Sequence, residues 1–193
     1  VTEVAPITGP AIALPQPNID TDLILPGRYL KTITRTGLGV HAFETLRREA
    51  DNPIDRAAGA PILIAGPNFG CGSSREHAAW ALKDLGVQAV IAPGFADIFA
   101  SNAFKNGIVL VALPQAQVDR LLAVAGEGQP ITVDLETMTV TTPFQDRFPF
   151  ELDPFRRDAL MRGLDEIGLT LTYADAIAAY ERQARVERSW SGV

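Results

Sequence analysis

From Gly70 to His77 the chain reads Gly-Cys-Gly-Ser-Ser-Arg-Glu-His, and Ser73, Ser74 and Arg75 are residue types suited to holding an anion. The guanidinium of Arg75 is a planar fork of donors that matches a carboxylate. Glycines at 70 and 72 let backbone N–H groups come close to a ligand. A helix that opens here adds the unpaired N–H groups of its first turn and a partial positive charge, which favour a carboxylate or phosphate. The same spacing has a second reading: Ser73-x-x-Glu76 is a capping box, in which the two side chains satisfy each other's backbone donors. Spacing alone leaves both open.

Neighbouring groups have their own paired readings. Cys71, near a helix start, would have a lowered pKa and serve as a thiol nucleophile, or it contributes only its backbone. His77 lies four residues past Ser73, on about the same helical face, where packing competes with a catalytic role. Asp20 and Asp22 form either a paired-carboxylate or cation site, or an Asx-turn that stiffens the loop. Phe95, Ile98 and Phe99 have helical spacing and read as core. Asn102, on the same segment, either faces the site or caps a neighbour.

These groups need elements to hold them. Pro61 to Gly66 is a short β-branched run that reads as a strand, and a helix follows to Leu85 with Gly86 as its stop. The pattern then alternates: strand Val87 to Ala92, helix Phe95 to Lys105, strand Ile108 to Leu113, helix Gln115 to Ala125. Alternation of this kind predicts a parallel sheet covered by helices, with ligands outside the carboxyl ends of the strands. Ser73-Ser74-Arg75 and Pro93-Gly94-Phe95 both fall at such ends and are expected to share one surface. Upstream, Val1 to Pro17 reads as an entry strand or a loosely held arm, Asn18 to Asp22 as a polar turn, and Val40 to Arg48 as a helix. Gly27 to Gly39 has no sustained period and reads as a long, mobile loop. Downstream, Pro130 to Leu135 and Met138 to Thr142 predict a hairpin. Asp153-Pro154 starts the first of two terminal helices, about 154–163 and 173–188.

Composition excludes several function classes. With 23 acidic against 17 basic side chains in 193 residues, the net charge is −6, which argues against a nucleic acid or an anionic membrane as partner. A hydrophobic fraction of 47% with 21% charged residues is that of a globular chain, and the length fits one domain over 1–193. No apolar run approaches the roughly 20 residues that span a bilayer, and a basic stretch followed by an apolar one is missing near the start, so a cytoplasmic location is expected. The lone Cys71 rules out an intrachain disulfide and cannot by itself hold an iron–sulfur cluster, which takes about four ligands.

Three ordered motifs carry a resemblance. Asn68-Phe69-Gly70-Cys71-Gly72-Ser73-Ser74-Arg75-Glu76-His77-Ala78, the upstream Asn18-Ile19-Asp20-Thr21-Asp22 and the downstream Phe95-Ala96-Asp97-Ile98-Phe99-x-x-Asn102 together resemble the small subunit of 3-isopropylmalate dehydratase. That family is similar to the swivelling carboxy-terminal domain of aconitase, and the likeness extends from about Asn18 to the terminal helix.

The resemblance implies an α/β fold, a swivelling β/β/α domain with a mainly parallel sheet core flanked by helices. It also implies a partner, a large subunit that carries a [4Fe–4S] cluster, so this chain would bind no metal itself. The activity implied is a hydro-lyase that converts 2-isopropylmalate to 3-isopropylmalate by dehydration and rehydration in leucine biosynthesis. By similarity, Ser73 is the catalytic base, and Ser74 and Arg75 bind a substrate carboxylate. A further carboxylate arginine is expected in the 27–39 loop, where Arg35 and Arg28 compete, with a solvated loop charge as the alternative. Tyr29, Leu30 and Lys31 are candidates for the wall that selects the substrate side chain. Tyr29-Leu30-Lys31-Thr32 also lies near the basic loop of a homoaconitase-type subunit, which keeps homoaconitate or citraconate-type diacids open. A non-catalytic dicarboxylate-binding module is the remaining alternative.

Overall fold

In the computed structural model, which describes residues 5–164 and 166–188, the entry segment is two strands that feed different sheets. The residues 1–4 of that predicted segment lie outside the described residues. β1 (Ile7–Gly9) and β2 (Ala11–Leu14) are separated by Pro10, which has no N–H for a ladder, and the chain changes sheet there. A connection with three single-turn helices follows: α1 (Thr21–Ile24), α2 (Glu44–Arg47) and α3 (Pro53–Arg56). Then come β3 (Ile62–Ala65), α4 (His77–Leu85), β4 (Ala89–Ala92), α5 (Asp97–Lys105), β5 (Val109–Ala112) and α6 (Gln115–Gly126), which bears out the predicted alternation. The chain continues through β6 (Ile131–Asp134), β7 (Thr139–Thr141), β8 (Arg147–Pro149), α7 (Pro154–Met161), α8 (Glu166–Leu171) and α9 (Ala174–Glu187).

One sheet is parallel, in the order β2-β3-β4-β5, with Ala11, Ile62, Ala89 and Val109 in one row. The other is antiparallel, in the order β1-β6-β7-β8. The predicted hairpin is present as β6 and β7; β8 adds a strand that the sequence pattern does not announce. Its turn is held by the Asp134 carboxylate, which accepts from the backbone N–H groups of Glu136 and Thr137.

Burial on both faces explains the continuous apolar runs of the parallel strands. Because successive side chains point to opposite faces, Leu63, Ala65, Val90 and Ala92 enter one core with α4 and α5. Ile62, Ile64, Ala89 and Ile91 enter the other, with Val118, Leu121 and Val124 of α6 and Val133 and Val140 of the antiparallel sheet. Both cores are mainly buried aliphatic side chains, with Phe43, Phe69 and Phe99 in the first and Phe150 in the second.

One predicted helix is corrected. Val40 to Arg48 is not continuous: a 3₁₀ turn at Gly39–His41 and α2 are separated by Ala42 and Phe43, and Phe43 is buried with φ 55 and donates its N–H to Ile24 O. The two predicted terminal helices are present as α7 and α9, and α8 adds a short helix between them.

Candidate active site

The carboxyl ends of β2, β3 and β4 bring all three motifs onto one surface. Gly70 N donates to Ile19 O at 2.7 Å and Thr21 N to Cys71 O at 2.8 Å, joining the first motif to the second. Phe69 N donates to Gly94 O and Ala96 N to Phe69 O, both at 3.0 Å, joining the second to the third. The expectation that the 73–75 and 93–95 loops share a surface is met. Gly70 sits at φ +77, and a Cβ there would overlap the buried side chain of Phe99. Only glycine fits both the backbone and the space.

The capping box does not form. α4 begins at His77, with Glu76 as its cap residue and no side-chain cap bond, so Ser73, Ser74 and Arg75 lie in the loop before the helix. Among the described residues the Ser73 hydroxyl accepts only from Arg75 N, at a long 3.4 Å, and the Glu76 carboxylate accepts from the Asn106 amide at 2.7 Å. The loop is tied from outside: Ser73 N donates to the Thr21 hydroxyl at 2.9 Å, and the Asn102 amide donates to Ser74 O at 3.2 Å. Ser73 is half-buried, while Ser74 and Arg75 are exposed. The Arg75 guanidinium has no hydrogen-bond or ion-pair partner among the described residues.

The 27–39 loop lies along α4. The carbonyl of Thr32 is 2.9 Å from His77 Nε2, Arg35 rests over the Trp80 ring, and Gly39 N donates to the Asp84 carboxylate at 2.7 Å. His77 is therefore a loop anchor, with its other ring nitrogen buried. Arg28, at the start of this loop, is committed to Glu44, which also accepts from the Tyr29 hydroxyl at 2.8 Å. The Tyr29 bond, then the Arg28 and Arg48 guanidiniums, hold the Glu44 carboxyl below its ordinary pKa against the opposing effect of desolvation. Tyr29 also stacks on His41 at 4.0 Å, and Leu30 packs against the core, so Lys31 is the exposed member of the Tyr29-Leu30-Lys31 trio. Arg35 lines a cleft of about 620 Å³ with Trp80, Lys83 and Lys105, in which none of Ser73, Ser74 and Arg75 takes part.

Other readings resolve simply. Asp20 caps α1, its carboxylate accepting from Leu23 N at 2.7 Å, and Asp22 is exposed. Cys71 is a half-buried free thiol. Thr21, Glu44 and Asn106 were not singled out as site-shaping residues by their sequence positions. Only Thr21 carried a signal, as part of the Asn18–Asp22 motif, because the partners of all three are remote in sequence.

Comparison with known proteins decides the family. The chain matches the aconitase C-terminal domain family over residues 3–116 and LeuD_N over 119–154. Residues 166–190 match the C-terminal domain of the 3-isopropylmalate dehydratase small subunit. The chain is 65% identical over 186 residues to a 3-isopropylmalate dehydratase small subunit of Erythrobacter litoralis, covering 95% of this chain and 92% of that one.

The chain belongs to the 3-isopropylmalate dehydratase small subunit family.

A small subunit of the same name from Novosphingobium aromaticivorans is 62% identical over 184 residues, covering 94% of this chain and 91% of the relative. The crystal structure of 3-isopropylmalate dehydratase (leuD) from Methanocaldococcus jannaschii superposes with a TM-score of 0.72 at 27% identity, covering 92% of this chain and 99% of that one. Membership in the 3-isopropylmalate dehydratase small subunit family fits the layered α/β architecture with a parallel four-stranded sheet. No helix among the described residues is long and apolar enough to cross a membrane.

Proposed function

We propose that this chain is the small subunit of a two-chain hydro-lyase that isomerises 2-isopropylmalate to 3-isopropylmalate through a dehydrated maleate intermediate. One observation carries the reading. Ser73 and the unpartnered Arg75 stand on one open segment at the carboxyl ends of three parallel strands, with the Ser73 hydroxyl uncommitted to a helix cap. The names of the relatives favour isopropylmalate over homoaconitate-type diacids and over a non-catalytic binding module.

The chemistry makes separate demands on each side chain. Taking a proton from a carbon beside a carboxylate pushes charge onto that carboxylate, so the base must act next to cations and donors. Ser73 Oγ takes the proton and returns it on rehydration. The fork of Arg75 and the hydroxyl of Ser74 hold the carboxylate and stabilise the charge that develops there. A positive charge on Arg75, two residues along, would also lower the cost of forming the Ser73 alkoxide. A cap bond would have had to break first; the loop geometry of Ser73 removes that requirement.

The chain's one cysteine falls short of the roughly four ligands of a [4Fe–4S] cluster, which supports a cluster held by the large subunit. Such a cluster, with one open iron, would supply a Lewis acid for the departing hydroxyl.

Reconstitution tests the reading. The isolated chain is expected to be colourless and inactive, and mixing with an anaerobically prepared large subunit should produce isomerisation of 2-isopropylmalate. Turnover by this chain alone, or preference of the complex for homoaconitate in a panel of diacids, would overturn it.

A further inference from the structure

Among the described residues, Ser73, Ser74 and Arg75 make no helix or strand hydrogen bonds of their own, and they follow two glycines at positive φ, so the one local tie is the long bond from Arg75 N to the Ser73 hydroxyl. Side chains of the two other motifs do. Thr21, buried at 6% exposure, accepts the Ser73 N–H at 2.9 Å; Asn102 donates to Ser74 O at 3.2 Å; Asn106, the cap residue just past α5, donates to the Glu76 carboxylate at 2.7 Å. The first tether comes from the start of α1, after β2, and the other two from α5 and its C-terminal cap, after β4, so the segment is gripped from both sides of β3.

We propose that Thr21 and Asn102 are positioning residues that set the location of the Ser73 oxygen, with Asn106 securing the far end of the segment through Glu76. The inference rests on Ser73 being the base. A reacting oxygen displaced by about 1 Å loses rate by about a hundredfold even when binding persists, so the tethers act on turnover more than on affinity. Thr21 and Asn102 lie in the first and third motifs, while the oxygen they place is in the second; this gives the three motifs one mechanical purpose.

The experiment uses the assembled complex with its large subunit and measures kcat and KM for 2-isopropylmalate per folded complex. Thr21→Val removes the acceptor at nearly constant shape, Thr21→Ser keeps it, and Asn102→Asp removes the donor. Thr21→Val and Asn102→Asp should each lower kcat by about 10- to 100-fold with KM changed by less than about threefold. Thr21→Ser should return kcat to within about threefold of the parent. Parental kcat in both Thr21→Val and Asn102→Asp, or equal loss in Thr21→Ser and Thr21→Val, overturns the proposal. If Thr21→Val fails to assemble, Asn102→Asp, at a half-exposed site, decides alone. Ser73→Ala separates the two levels. Parental turnover in Ser73→Ala rejects the base assignment itself. Inactivity there with parental kcat in the tether variants rejects only the tethers.

Discussion

Ser73 and Glu76, three residues apart, turn to different partners: the serine hydroxyl faces Arg75 N at 3.4 Å, and the glutamate carboxylate takes the amide of Asn106 at 2.7 Å. With the reciprocal cap absent, the serine has little structural duty. Ser73→Ala is expected to lower kcat by about a hundred- to ten-thousand-fold. Its cost in stability should stay below about 1 kcal/mol, because the lost bond is long and its donor is near solvent. Steady-state kinetics and a thermal melt on the same sample check both halves. A large fall in Tm with unchanged kcat would leave Ser73 a structural residue.

Arg75 is exposed, and its guanidinium has no partner among the described residues. Arg75→Lys keeps the charge but loses the bidentate fork, so KM for the diacid should rise by about tenfold or more while melting stays within about 0.5 kcal/mol of the parent. An unchanged KM would remove the guanidinium from the substrate.

Arg35 rests over the Trp80 indole, 5.4 Å from its centroid, in a cleft apart from Ser73. Arg35→Ala should therefore leave kcat and KM within about twofold, the loss being one exposed cation–π contact of about 0.5 to 1 kcal/mol. A KM increase comparable to that of Arg75→Lys would bring the 27–39 loop into the substrate site.

Gly70 carries φ +77 against the side chain of Phe99. Gly70→Ala combines backbone strain with overpacking, together about 2 to 5 kcal/mol, and should abolish or strongly depress the thermal transition. Gly59, also at positive φ but with open space around it, provides the comparison, and Gly59→Ala should lose only the backbone part. Equal melting of the two variants would refute the packing argument.

Glu44 gathers Tyr29, Arg28 and Arg48, and its carboxyl pKa is lowered in the folded chain. A depressed carboxylate contributes stability that is fully present above its unfolded pKa, about 4.3, and is lost as pH falls through the folded value. Acid titration below about pH 4.3 should thus weaken the Tyr29–Glu44 attachment. Glu44→Gln should flatten that part of the stability profile, as followed by melts across the acid range. An unchanged acid slope in Glu44→Gln would assign it to other groups.

Periodicity and punctuation placed β3, β4 and β5 and the helices after them within a residue or two, because apolar runs buried on both faces and glycine stops are local signals. The reading of Ser73-Ser74-Arg75 as an anion site rests on local signals too: residue type and a place in the segment after a strand. What the sequence by itself determined, then, is the alternating β/α order, the second-sheet hairpin and the residue types of the Ser73-Ser74-Arg75 segment. Only the tertiary structure decided that Arg28 is committed to Glu44, that Arg35 lies on Trp80, that Ser73 is no helix cap, and that Thr21 bonds Ser73 and Asn102 bonds Ser74. Each of these rests on a hydrogen bond, ion pair or ring contact between residues separated by 16 to 52 positions or on the competing partner such a contact supplies, and which groups compete for one donor is settled by packing rather than by spacing.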